Sequence, residues 1–272
     1  RDRLAERGVE LLVVPVPTKA MVYPEELSAA YASDAIGLSN RSSSRFMDVL
    51  RDNGVHVVDL LPDLVDAKSK SEHSLFLATD THWSSEGMRI ASERIAAHVR
   101  EHALLMVEEP VDFQMKEQMH FRGSGDLERM LGRRGDDKFF LELRYLNRIV
   151  TARMATPQKL FYPSGGPWFE DELAPVMLLG DSFARVFSDP SMGWGRGMGL
   201  AEQLSLELST PMDAIRISDQ GAFSSRSALS QSIESGRDRL AGKRLVIWEF
   251  SMRELSFGDW RRGYSYEAPV PS

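Results

Sequence analysis

Residues 176–182 read VMLLGDS. An unbroken apolar run with no polar alternation suits a strand buried on both faces, and the Gly-Asp-Ser after it suits a tight turn from that strand into a helix. Working outward, runs of the same kind are VELLVVPVP at 9–17, VHVVDL at 55–60 and RLVIWEF at 244–250, with the shorter AIRIS at 214–218. Between the first two lies SSSRFMDVLRDNG, a helical stretch with Gly54 as its stop, so residues 9–60 form a β-α-β unit. Apolar strands separated by helices predict an α/β fold, with a mostly parallel sheet covered by helices on both faces. Residues 104–175 break this rhythm, being rich in Arg, Gly, Met and charge, with YPSGGPW (162–168) as a loop. They are expected to be an insertion or lid within a single domain spanning 1–272.

The composition narrows the function. A chain of 272 residues with 42% hydrophobic content can bury a substantial core. The 33 Lys and Arg against 40 Asp and Glu leave a net charge of -7, which argues against nucleic acid or an anionic membrane as a general partner. With no cysteine, disulfides, thiolate catalysis and Cys-ligated zinc are excluded. No apolar run approaches the ~20 residues that span a bilayer. The chain opens on RDRLAERGVE without a methionine, which is compatible with an upstream signal or anchor.

In open α/β sheets ligands bind beyond the carboxyl ends of the strands. Those ends carry Thr18 and Lys19, then Gly180, Asp181 and Ser182, then Asp219, Gln220 and Gly221, and finally Ser251 and Arg253. A serine at a strand-to-helix turn exposes its hydroxyl where backbone N–H groups can hold a developing oxyanion, so Ser182 is the candidate nucleophile. It needs a base. The stretch ATDTHWSSEGMRIASERI (78–95) offers His82, with Asp80 two positions earlier to orient the imidazole and stabilise its charged form. Trp83 is expected to wall the site and shed water, and Ser84 or Ser85 to cap the helix that follows.

The DTHW at 80–83 together with GDSFA at 180–184 resembles the alginate O-acetyltransferases of the AlgJ and AlgX type, SGNH-hydrolase-like proteins with a DHHW-type motif. The stretches PVPTKAMVYPEEL (15–27), GSGDLERML (123–131) and VIWEFSMREL (247–256) fall in that family's order, so the resemblance spans nearly the whole chain. It implies an SGNH-like three-layer α/β/α fold and a catalytic Ser182, His82 and Asp80. It also implies a periplasmic location, compatible with tethering by an N-terminal signal anchor, an acetyl group passed from a membrane-bound O-acyltransferase, a polysaccharide acceptor and no cofactor.

Ordinary SGNH hydrolases place the Asp-His pair last, whereas here it comes first, which a circular permutation explains. In that frame Gly221 falls at the oxyanion-hole glycine, and no asparagine stands in EFSMRE (249–254), leaving Ser251, Arg253 or a backbone N–H of Gly193-Trp194-Gly195 as the third donor. The chain stops soon after the last strand, which is closer to the AlgJ type than to AlgX with its carbohydrate-binding module.

An acetyltransferase of this kind is expected to carry an acceptor groove. Trp83 and Trp194 would stack against sugar rings, and some of Lys19, Arg133, Arg196 and Arg253 would meet uronate carboxylates, with Arg134 a further candidate. The alternatives are a carbohydrate acetylesterase with the same triad and a non-catalytic polysaccharide-binding relative. HVREH at 98–102 matches the H-x-x-E-H of inverted zincins, but with no third ligand in view a solvated helix face explains His98, Glu101 and His102 equally well, and no metal is expected. His56 is expected to be packed or hydrogen-bonded in the sheet. His120 is a candidate to approach the site from the insertion, and Met115, Met119 and Met130 are expected in the core.

Overall fold

The computed structural model describes residues 1–31, 37–117, 125–130, 158–218, 221–258 and 260. A single turn, α1 (Asp2–Ala5), leads into β1 (Glu10–Val16), whose last five residues are all buried, and then into the short α2 (Lys19–Val22). Helix α3 (Arg41–Asp52) is capped by the Asn40 side chain and followed by Asn53 and Gly54, the expected stop. Next come β2 (His56–Val57), α4 (Leu61–Lys70) and α5 (Ser85–Glu101). Ser84, rather than Ser85, caps α5 by accepting from the Gly87 N–H. The insertion contributes β3 (Gln114–Glu117), α6 (Asp126–Met130) and β4 (Gln158–Phe161). The last part holds β5 (Val176–Gly180), α7 (Ser182–Arg185), α8 (Leu200–Leu208), β6 (Met212–Arg216), α9 (Gly221–Glu234), β7 (Leu245–Ser251) and α10 (Glu254–Phe257).

The main sheet has the order β2-β1-β7-β5-β6, and every pair in it is parallel. Alternate residues of a strand point to opposite faces, and both faces here are apolar. Leu12, Val14, Leu178 and Ile247 pack with Ile95 of α5 and Leu204 of α8. On the other side Met177, Leu179 and Val246 meet Leu229 and Ile233 of α9, while Val13, Val57 and Phe250 meet Met47 of α3. The result is the three-layer α/β/α arrangement anticipated from the apolar runs.

Three expectations are revised. The second strand shrinks to two residues, because Pro62 starts α4 and turns the chain off the sheet just past the Val58 N–H bond to Val13 O. Met115 and Met130 are exposed, at 45% and 79%, because a two-stranded ribbon and a single helical turn enclose no core of their own. His56, by contrast, is packed as expected: it lies on the edge strand, half-buried, with its ring against two other histidines, so in the fold only the strand length and the two methionines are revised among the described residues. Met119, His120, Arg133, Arg134, Asp219 and Gln220 lie outside the described residues. No helix among those residues is long and apolar enough to cross a membrane.

Candidate active site

The carboxyl ends of β1, β5 and β7 converge on Ser182. Asp181 caps α7 by accepting the Phe183 N–H at 2.8 Å, and its second oxygen accepts the Ser251 N–H at 2.8 Å. The Asp181 N–H donates to Glu249 Oε2 at 3.0 Å, so the serine turn is tied to β7 from both sides. Glu249 is wholly buried, and burial first, then the charge of Asp181, pushes its carboxyl well above the usual range. The sequence reading passed over Glu249, although an acid inside the apolar run VIWEF was a visible signal. Ser182 Oγ receives a long contact from Arg253 Nη2 at 3.5 Å.

The histidine side is built on a turn. Phe76 and Trp83 form an antiparallel bridge, and the Leu77 N–H donates to His82 O at 3.0 Å, which folds residues 77–82 into a loop closed at its base. Within it Asp80 Oδ1 accepts the His82 N–H at 3.0 Å and lies 2.5 Å from His82 Nδ1. The pairing assigns the ring proton to Nδ1 and leaves Nε2, buried and without a hydrogen bond, as the basic nitrogen. The His82 ring rests against Phe183, the residue after the serine, at 4.8 Å between centroids.

Asp80 Oδ2 is held as firmly, by Trp194 Nε1 at 2.9 Å and the Asp126 N–H at 3.1 Å. Burial works against its ionisation, but the hydrogen bond and charge of His82, with help from Trp194, outweigh that and hold the carboxyl below the ordinary range. Asp126 comes from the insertion. Its carboxylate accepts the Thr81 N–H at 2.7 Å and the Thr81 hydroxyl, and lies 3.9 Å from His82 Nδ1. A side-chain Cβ at Gly125 would fall 1.8 Å from Thr79 O, so only glycine lets α6 press this close to the loop. Asp80, His82 and Asp126 bring possible metal-ligating atoms within 4.8 Å, yet both Asp80 oxygens are already engaged by N–H donors.

Several expected substrate contacts take other roles. Trp83 is completely buried, its indole N–H donating to Phe183 O at 3.0 Å, and Trp194 is 2% exposed with its N–H on Asp80. Neither offers a face for a sugar ring, because both indoles are spent on bracing the two halves of the site. Lys19 Nζ donates to Leu77 O at 2.7 Å and Ala78 O at 3.0 Å, with Asp80 O at 3.4 Å, so its ammonium group pins the histidine loop. Gly221 has φ +46°, and a Cβ there would lie 2.0 Å from the Glu254 carboxyl carbon. The turn thus holds that carboxyl group, which also accepts the Ala222 N–H, in place of an oxyanion. Ser251 gives its N–H to Asp181 and keeps an unpartnered, buried hydroxyl, while Arg196 is exposed.

Arg253, Ser251 and Phe183 line a cleft of about 370 Å³ together with Tyr23, Leu27 and Leu127. That volume falls in the range of small-ligand sites. The lining is mainly apolar, with Glu26 and Lys19 adding charge at its side.

Compared with known families, residues 1–252 match the SGNH hydrolase-like domain of the acetyltransferase AlgX. The chain belongs to that family. Among curated relatives it is 29% identical over 263 residues to a probable alginate O-acetylase AlgJ of Pseudomonas aeruginosa, covering 93% of this chain and 61% of the relative. It is 26% identical over 258 residues to the Azotobacter vinelandii protein of the same name, covering 94% and 60%. The chain thus spans about 60% of the length of these relatives. Among solved structures, the O-acetyltransferase domain of Pseudomonas putida AlgJ superposes with a TM-score of 0.66 at 22% identity, over 96% of this chain and 81% of that one. Pseudomonas aeruginosa AlgX superposes with a TM-score of 0.60 at 19% identity, over 92% and 54%. These likenesses agree with the SGNH-like sheet described above.

Proposed function

We propose that the chain is a polysaccharide O-acetyltransferase working through an acetyl-Ser182 intermediate. The observation that carries the reading is the buried Asp80–His82 pair, with its free Nε2, beside a serine turn at the end of a parallel sheet. Ser182 Oγ attacks the donor's acetyl carbonyl while its proton passes to His82 Nε2, and Asp80 stabilises the imidazolium. Arg253, 3.5 Å from the hydroxyl, is the donor nearest the developing oxyanion, and backbone N–H groups of the turn add to it. Collapse expels the leaving group, which takes the proton from His82. In the second half an acceptor hydroxyl gives its proton to His82 and attacks the acetyl carbon, and Ser182 recovers its proton as it leaves. The Ser182–His82 hydrogen bond is closed in the reacting complex, since such contacts are often loose in free enzymes.

This reading includes the permuted order, with the acid–histidine pair ahead of the serine, and treats residues 104–175 as an arm of one domain, since Asp126 reaches Asp80. The acceptor is an exported polysaccharide such as alginate, the substrate named for the relatives. The acetyl group comes from a membrane-bound O-acyltransferase, and the reaction takes place in the periplasm. A second reading, hydrolysis of small acetyl esters, draws support from the modest, mainly apolar cleft and from the burial of both tryptophans.

The purified protein given an aryl acetate, with and without oligouronates, separates the two. Transfer predicts that the oligomer lowers free acetate and gains acetyl mass, and that Ser182→Ala stops both. Acetate release that no oligosaccharide changes leaves the esterase; a Ser182→Ala protein as fast as the wild type refutes the nucleophile.

A further inference from the structure

The sequence pattern HVREH lacked a third ligand, and the fold supplies one. His98 and His102 stand one turn apart on the same face at the end of α5, and His56 on the edge strand β2 faces both. The ring centroids lie 4.3 Å apart for His98 and His102, 5.1 Å for His56 and His102, and 5.6 Å for His56 and His98. One ring nitrogen from each falls within 4.8 Å of the others. His98 Nε2 is buried without a hydrogen-bond partner, a cost that native structures rarely leave unexplained.

We propose that His56, His98 and His102 form a structural site for a borderline divalent transition ion of the zinc type, clipping the edge strand β2 to the end of α5. Zn–N bonds of about 2.0–2.1 Å in tetrahedral geometry place ligand nitrogens about 3.4 Å apart, so side-chain rotation of the half-buried His56 and exposed His102 closes the remaining distance. Three imidazoles with no carboxylate or carbonyl among the ligating atoms suit zinc, nickel or copper and not calcium or magnesium. Of the cations beside the cluster on this helix, Arg94 is engaged by Glu101 at 3.3 Å and Asp63 at 3.7 Å, and Arg100 donates to Glu207 O at 3.0 Å, which offsets their repulsion of a metal ion. The 14 residues of helix from Ser84 to His98 put the clip roughly 21 Å along the axis from the catalytic loop, so it acts on stability and leaves the chemistry untouched.

The test uses tag-free protein, stripped with chelator, titrated with zinc chloride by calorimetry and melted with and without the metal. The expected result is one saturable site per chain, a melting temperature that rises with zinc, and no rise with magnesium. His102→Gln and His56→Gln should each weaken binding about tenfold or more, while the metal-free variants melt like the metal-free wild type, His102 being exposed. His98→Gln should weaken it as well. Zinc affinity unchanged in His102→Gln and His56→Gln overturns the proposal, as does the absence of saturable binding. Binding that survives His102→Gln but disappears in His82→Gln places the ion at the Asp80–His82–Asp126 group and overturns it equally.

Discussion

Replacing Trp194 by Phe removes one hydrogen-bond donor from Asp80 and keeps most of the buried ring. Asp80 has four N–H contacts: two from His82 on Oδ1, and those of Trp194 and Asp126 on Oδ2. A hydrogen bond to a charged acceptor contributes about 1.5–3 kcal/mol. Spent entirely on the carboxylate, that loss raises the Asp80 pKa by roughly one to two units, at 1.36 kcal/mol per unit. Because Asp80 starts below the ordinary range, it stays ionised at neutral pH. At neutral pH the cost is one of orientation, since Oδ2 no longer fixes the carboxylate against the His82 ring, up to the same 1.5–3 kcal/mol, or roughly 10- to 100-fold in the rate of acetyl-enzyme formation. Trp194 is absent from the cleft lining, so KM for an aryl acetate should hold. Single-turnover acetylation of Ser182 at neutral pH over a range of ester concentrations, counted per folded molecule, measures both rate and apparent affinity. A variant that melts lower yet acetylates at the wild-type rate would refute the positioning role.

Two further perturbations test the frame around the site. Lys19→Met removes the donor to Leu77 O and Ala78 O, which should cost about 1–3 kcal/mol in stability and lower kcat while KM for an oligouronate stays constant; a raised KM at constant kcat would instead make Lys19 a substrate contact. Glu249 has its native pKa above its unfolded value, so its stabilising contribution is complete below the ordinary carboxyl range and is lost as pH rises through the native value. Glu249→Gln keeps an acceptor for the Asp181 N–H and cannot ionise, so its melting temperature should fall less with rising pH than that of the wild type; parallel curves would contradict the assignment.

The sheet was legible because its signal is local. Runs such as VMLL and LVIW must be buried on both faces whatever surrounds them, and they became β5 and β7 in register, Val176 beside Leu245 and Leu178 beside Ile247. The pairing of Asp80 with His82 was legible for a similar reason, since two residues in one short turn can meet without help from the rest of the chain. What the tryptophans do was not. An indole beside a catalytic histidine reads equally as a platform or a brace, and the choice depends on Phe183 O and Asp80 Oδ2, which lie 100 and 114 positions away in the chain. Lys19 misled in the same way: its partners at 77 and 78 turn a basic residue at a strand end into a staple.

The same distances explain how the site is divided. Ser182 is positioned mainly from β5 and β7 of the central sheet, through Asp181 at the end of β5 and Glu249 and Ser251 on β7. The Asp80–His82 loop lies outside that sheet and is fixed by Lys19, Trp194 and Asp126, drawn from three separate stretches of sequence. Both parts are buried, and local stability follows the buried contacts that must be broken together. The two halves are joined where the Trp83 N–H meets Phe183 O and the His82 ring rests on Phe183, so the loop is held at a fixed distance from the serine turn, with Nε2 left without a hydrogen bond. An unpartnered Nε2 held in place suits the proposed mechanism, in which His82 would take a proton from Ser182 in one half-reaction and from an acceptor hydroxyl in the next.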